Sequence, residues 1–205
     1  MSRYVIIDFE TYPINGKSGV MEIGCCEVIN GCIKRTWQTL VRPICLVSEY
    51  VLNLTGLTQV ELDQAPEFLD VVSDFYEFIG NDIIIAHNAK LDCASFEYQC
   101  KLFDLNAKEM FWLDSQDIIR CLVPTTETLQ LQLLLEKYDC QSEFKHRALS
   151  DAQGLARLLL HLLSNHCIQL TNQEFEIICQ SNHIALQRLF KWFKLQSVLI
   201  LSNSV

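Results

Sequence analysis

Asp8 and Glu10 stand at the end of an apolar run, RYVIIDF at residues 3–9, that is rich in β-branched side chains. Such a run reads as a buried strand. Residues i and i+2 of a strand point to the same side, so the two carboxylates face one spot. A third acid, Asp92, follows a second short apolar run, IIIA at 83–86, and falls in the first turns of the helix after it. A fourth, Asp151, begins a helical stretch at 149–163, with His146 five residues earlier in a loop. Sites in sheets with parallel strands lie beyond the carboxyl ends of those strands, where Asp8, Glu10 and Asp92 can converge. Several carboxylates in one pocket repel one another and take up protons unless divalent cations compensate them. An oxygen-only ligand set suits Mg²⁺ or Mn²⁺. Two such ions, roughly 3.5–4 Å apart, can clamp a phosphodiester. An imidazole is the side chain suited to take a proton from water near neutral pH.

Taken singly, each residue has a plain structural reading. Asp8 and Glu10 can be a strand end that meets solvent, and His146 an ordinary surface histidine. Asp92 and Asp151 can be first-turn acids favoured by the helix macrodipole. It is their order, each on the expected element, that makes the plain readings poor.

The elements that must position these residues follow from the pattern of the chain. Gly16 and Gly19 punctuate a loop after the first strand. Residues 20–29 and 32–41 flank Asn30-Gly31, the strongest short hairpin signal, and read as an antiparallel pair. Residues 48–63 read as short helical pieces broken at Thr55-Gly56. A helix is expected from Glu67 to Ile79, stopped by Gly80-Asn81, then a buried strand at 83–86 and a helix at 89–103. Residues 110–113 read as a further strand. Helices are expected at 115–122, 127–138 and 149–163. Strands first, then strands alternating with helices, indicate an α/β fold with a mixed sheet covered by helices.

The chain has 205 residues, half of them hydrophobic, which allows one packed domain with an appendage and excludes wholesale disorder. Its apolar runs are far too short to span a membrane, and acids interrupt the first of them, so a soluble, cytoplasmic protein without a signal peptide is expected. The ten cysteines contain no CxxC pair, and Cys25 and Cys26 are adjacent. That spacing argues against zinc, and the thiols are expected to be reduced and mostly buried. The net charge of −9 excludes a protein that coats duplex nucleic acid by charge alone. Residues 1–164 carry −10 and residues 165–205 carry +1.

The three clusters resemble the motifs of a known family. DFET at 8–11, HNAKLDCASF at 87–96 and HRALSDA at 146–152 are similar to the three motifs of the DEDDh 3′→5′ exonucleases, the DnaQ-like group that includes the epsilon subunit of DNA polymerase III, ribonuclease T and oligoribonuclease. MEIGCCEV at 21–28 and LTGLTQVELDQAP at 54–66 resemble the family's second strand and the segment after its hairpin. The resemblance covers residues 3–163. It implies a ribonuclease H-like five-stranded mixed sheet flanked by helices. It implies that Asp8, Glu10, Asp92 and Asp151 hold two divalent ions, Mg²⁺ or Mn²⁺, and that His146 is the general base. It also implies that Thr11, Leu54, Thr55, Gly56, Leu57 and His87 contact the 3′-terminal nucleotide. The implied activity is metal-dependent hydrolysis of single-stranded 3′ ends to nucleoside 5′-monophosphates, with DNA favoured over RNA. Tyr12 stands where many relatives have a second threonine, and Leu91 where many have phenylalanine. The nucleotide pocket is expected to differ at these two positions.

The alternatives are an RNA-trimming exoribonuclease of the same family and a partner-docking module with little turnover. A transposase or ribonuclease H would lack the His-x4-Asp motif. Residues 1–168 are expected to form the exonuclease domain and 169–205 a short helical extension, whose Thr171 and Glu174 make a capping box. FKWFK at 190–194 suits stacking on single strands, but an amphipathic helix buried against the body or a second subunit is favoured. VLIL at 198–201 is a candidate for docking on a polymerase subunit or for self-association.

Overall fold

The computed structural model describes residues 3–141 and 145–166. The expected extension at 169–205, with its capping box and the FKWFK and VLIL segments, lies outside the described residues. Five strands form one mixed sheet in the order β3-β2-β1-β4-β5. β1 (Arg3–Ile14) pairs antiparallel with β2 (Lys17–Ile29), and β2 antiparallel with β3 (Cys32–Leu40). On its other edge β1 pairs parallel with β4 (Ile83–Ala86), and β4 parallel with β5 (Phe111–Asp114).

From Tyr4 to Ile7, β1 is apolar without interruption because both its faces are covered there. Tyr4 and Ile6 belong to one core with α5 (Ser115–Leu122), α6 (Leu131–Lys137) and α7 (Ala148–His166). Val5, Ile7 and Phe9 belong to the opposite core with α3 (Phe68–Ile79) and α4 (Ala89–Leu102). The adjacent thiols follow the same alternation: Cys26 packs in the first core and Cys25 in the second. A third cluster packs Tyr12, Ile14 and Met21 with Leu57 and Leu62 from the segment that carries α1 (Glu49–Thr55) and α2 (Gln59–Asp63).

Several boundaries differ from the expectation: β2 starts at Lys17, so that Gly19 is in a strand and not in the loop, α7 runs on to His166, and two more lie near the acidic residues. β1 does not end at residue 9. Parallel pairing with β4 stops at Ile6, but β1 continues against β2 as far as Ile14. Asn15 and Gly16 close this longer hairpin with φ of 50° and 71°, the same Asn-Gly chemistry that turns at Asn30-Gly31. Pro13 is tolerated because the β4 edge of β1 is unpaired there. α6 starts at Leu131 rather than 127, after a turn in which Thr126 donates its hydroxyl hydrogen to the Thr128 carbonyl at 2.9 Å.

Of the eight described cysteines none is in a disulfide; four are buried, two are half-buried, and Cys32 and Cys45 are exposed. Among the described residues no helix is long and apolar enough to cross a membrane.

Candidate active site

Asp8 and Glu10 keep the parity of Tyr4 and Ile6, so they face α7. They lie where β4 has stopped pairing, in the stretch of β1 that only β2 supports. Asp151, in the first turn of α7, meets them there. One carboxylate oxygen from each of Asp8, Glu10 and Asp151 lies within 4.8 Å of the others. Asp151 accepts hydrogen bonds from Gln132 Nε2 at 3.0 Å and from the His146 backbone N–H at 3.2 Å.

Asp92 arrives from the opposite face of the sheet. It is 8% exposed, and its Oδ1 accepts the Phe9 backbone N–H at 3.3 Å. The chain turns from β4 into α4 through Asn88, whose φ of 63° and N–H bond to Asp114 Oδ1 at 3.1 Å aim the first turn of α4 at β1. All four acids expected from the sequence are therefore brought together, three on one face and the fourth reaching β1 beyond the end of its pairing with β4.

The electrostatics show what such crowding costs. Burial, followed by the charges of Asp92, Glu10 and Asp151, holds Asp8 well above the ordinary carboxylate range. Burial, then Asp151 and Glu22, pushes Glu10 up to about 7, against the pull of Arg147. Burial pushes Asp92 up to about 7, and Asp151 is also raised by burial, with the Gln132 bond opposing. Carboxylates this close favour either protons or hard cations. The oxygen-only donor set and the spacing of the trio fit divalent ions of the magnesium type.

Two cavities meet at Asp8. One, of about 340 Å³, is lined by Thr11, Lys17, Ser18, Ser95 and Asp92. The other, of about 590 Å³, is lined by Gln132, His146 and Asp151. Asp8, His87 and Leu91 border both. Leu91 is 63% exposed and stands between them. Both ring nitrogens of His87 are engaged: Nδ1 bonds Ser115 Oγ at 2.8 Å, and Nε2 the Leu129 carbonyl at 2.6 Å. Burial lowers its pKa, so the neutral ring donates from Nε2 to the carbonyl and accepts the Ser115 hydroxyl at Nδ1.

The segment at 54–57 lies outside the linings of both cavities. Leu54 is exposed, while Thr55 is buried with its hydroxyl donating to the Val51 carbonyl at 3.0 Å. Gly56 caps α1 at φ 70°, and Leu57 is buried. Tyr12 is 1% exposed; its hydroxyl accepts the Ile44 N–H at 3.1 Å, and its ring lies against Gly19. Of the two positions expected to alter the pocket, Leu91 faces it, while Tyr12 is buried in the third cluster and lines neither cavity.

The residue pattern missed Glu22 and Arg147. Glu22 is 2% exposed and accepts Arg147 Nε and Nη2 at 2.9–3.1 Å, together with the Ala148 N–H at 3.2 Å. A charge inside the apolar strand VMEIGCC was the available signal.

The RNase_T family, described as Exonuclease, matches residues 5–159, which spans the whole site. The chain belongs to this family of DEDDh-type, DnaQ-like exonucleases. It is 31% identical over 184 residues to the PolC-type DNA polymerase III of Bacillus subtilis (strain 168), covering 87% of this chain and 13% of that protein. The corresponding polymerase of Oceanobacillus iheyensis is 28% identical over 184 residues, covering 89% of this chain and 12% of that protein. The chain thus spans about an eighth of the length of these curated relatives. Among solved structures, exonuclease X in complex with 5′ overhanging duplex DNA is 26% identical with a TM-score of 0.65, covering 85% of this chain and 96% of that one. The nuclease domain of 3′hExo, a DEDDh family member bound to rAMP, shares the fold at 23% identity and a TM-score of 0.71, covering 81% of this chain and 94% of that one. The fold is thus the ribonuclease H-like one, and the family it belongs to is one of exonucleases.

Proposed function

We propose that the chain removes nucleoside 5′-monophosphates one at a time from single-stranded 3′ ends, with DNA favoured over RNA. The observation that carries this reading is the convergence of Asp8, Glu10 and Asp151 oxygens within 4.8 Å, with Asp92 held beside them. Asp8, Glu10, Asp92 and Asp151 would hold two divalent ions, Mg²⁺ or Mn²⁺. Such ions, when bound, supply Lewis-acid polarisation of the phosphodiester and ease deprotonation of the attacking water.

The chain's own residues do the rest. His146 borders the larger cavity beside Asp151 and takes the proton from the attacking water. Leu91 presents an apolar surface between the cavities, against which the terminal base or sugar packs. Thr11 lines the smaller cavity and contacts the 3′ end. His87 contributes by fixing the rim of the pocket through Ser115 and Leu129. Leu54 to Leu57, assigned to the terminal nucleotide by resemblance, lie outside both cavity linings. Similarity to PolC-type polymerases supports DNA as the preferred substrate and a cytoplasmic, polymerase-associated setting.

Matched 5′-labelled DNA and RNA oligonucleotides, digested with Mn²⁺ or Mg²⁺, test the reading. A ladder shortening from the 3′ end, faster on DNA, is expected. Absence of a ladder on both substrates would overturn the enzyme reading, and a faster RNA ladder would overturn the preference.

A further inference from the structure

We propose that Arg147 is a positioning residue: clamped on Glu22, it holds the neighbouring His146 in a left-handed backbone conformation and so fixes the base against the carboxylates. The proposal rests on the function above for the role of His146. His146 has φ of 56°. A non-glycine residue keeps such a conformation only where its surroundings over-determine it.

Two sets of contacts flank His146. On one side, the His146 N–H is held by Asp151 Oδ2 at 3.2 Å. On the other, the guanidinium of Arg147 forks onto both oxygens of buried Glu22, and Glu22 Oε2 also accepts the first N–H of α7, from Ala148, at 3.2 Å. One strand pair up, Gly24 lets β2 touch α7 directly, since a methyl group there would overlap the backbone of Ala148 and Leu149. The register ties this to the chemistry. Glu22 is the cross-strand partner of Glu10, and Gly24 that of Asp8. The two β2 positions opposite the catalytic carboxylates are therefore the two that dock the base-bearing loop and its helix.

Arg is suited to this task and Lys is not. A planar fork fixes two oxygens and an orientation, whereas an ammonium fixes a point. Arg147→Lys preserves the charge and removes the fork.

The test uses the full chain with histidine ring nitrogens labelled, the His146 signals being assigned by their loss in His146→Gln. Arg147→Lys is expected to shift or broaden the His146 ring signals and leave those of the other histidines unchanged. In turnover assays it is expected to lower kcat about 10- to 100-fold with KM within about twofold. In a His146→Gln background it should cause no further loss of kcat. Unchanged His146 signals in a folded Arg147→Lys protein would overturn the proposal. So would a kcat loss that persists without the imidazole, because Arg147 would then act on the substrate or the carboxylates directly. Should Arg147→Lys not fold, Glu22→Gln, which keeps the shape and weakens the fork, is read in the same way. An inactive wild-type chain would refute the proposed function, while the ring signals would still decide the clamp.

Discussion

The backbone N–H of Phe9 is donated to Asp92 Oδ1 at 3.3 Å, which joins the central strand to the helix on the far side of the sheet. That bond sets Asp92 beside Asp8, whose carboxyl its charge raises. Asp92→Asn keeps the shape and removes the charge. Loss of exonuclease activity by about 10²-fold or more is expected, because one of the four proposed ligand carboxylates is gone. In EDTA at pH 8 the same variant should be more stable than the wild type by on the order of 1–2 kcal/mol, because a buried charge crowded by other acids has been removed. Urea unfolding measures this, and a less stable variant would contradict the electrostatic account.

The carboxylates also set a pH dependence whose sign is fixed. Glu10 and Asp92 are pushed up to about 7 in the folded chain, against roughly 4 when unfolded. Between these values the folded state binds more protons, so in EDTA stability falls as pH rises from about 4 to about 7 and then levels. Below about 4 both states are protonated and the contribution is fully present. Mn²⁺ or Mg²⁺ should raise Tm strongly at pH 8 and little at pH 5, since cations and protons compete for the same oxygens. Thermal melts across pH with and without metal check it; a metal-free Tm that rises from pH 5 to pH 8 would refute it.

His87 has both ring nitrogens occupied within the fold, at 2.8 Å and 2.6 Å. His87→Leu should therefore lower stability by about 1–3 kcal/mol, because a buried hydroxyl and a half-buried carbonyl lose their partner. Activity should fall as the rim at Leu129 loosens. A variant of unchanged stability with a raised KM would assign His87 to direct substrate contact instead.

The legible part of the molecule was the part written in local pattern. The i, i+2 acids, the His-x4-Asp spacing and the Asn30-Gly31 hairpin each depend on a few neighbouring residues. The extension of β1 to Ile14 was also signalled locally, by Asn15-Gly16, but Pro13 masks it unless the β4 edge is known to be free. The Glu22–Arg147 pair was not legible, because its partners are 125 residues apart. Glu22 reads as a lone charge in a strand and Arg147 as a spacer until the fold joins them. His87 sits in a matching motif, yet its bonds to Ser115 and Leu129 depend on where α5 and the following turn pack.

Leu91 and Tyr12 separate two ways of altering a pocket. Leu91→Phe enlarges the exposed surface between the cavities and should change KM and the DNA-to-RNA ratio, with stability within about 0.5 kcal/mol. Tyr12→Phe removes the acceptor for the Ile44 N–H and should cost about 1 kcal/mol of stability with the ratio unchanged. Paired kinetics on matched oligonucleotides, with urea melts, distinguish them; a shifted ratio in Tyr12→Phe would place that ring in contact with substrate.

Gly24 has no freedom to carry a side chain. It lies opposite Asp8, and a methyl group there would occupy the space of the Ala148 and Leu149 backbone. Neither neighbour is a flexible side chain that can swing away, so the start of α7 must move off β2. Gly24→Ala should destabilise the chain by about 1–3 kcal/mol or more through overpacking. Because α7 carries Asp151 in that same first turn, the displacement should also spread the Asp8, Glu10 and Asp151 oxygens. Weaker protection by Mn²⁺ in thermal melts is therefore expected alongside the lower stability. A Gly24→Ala chain that keeps both its stability and its metal-induced rise in Tm would show that α7 does not need this close approach to complete the site.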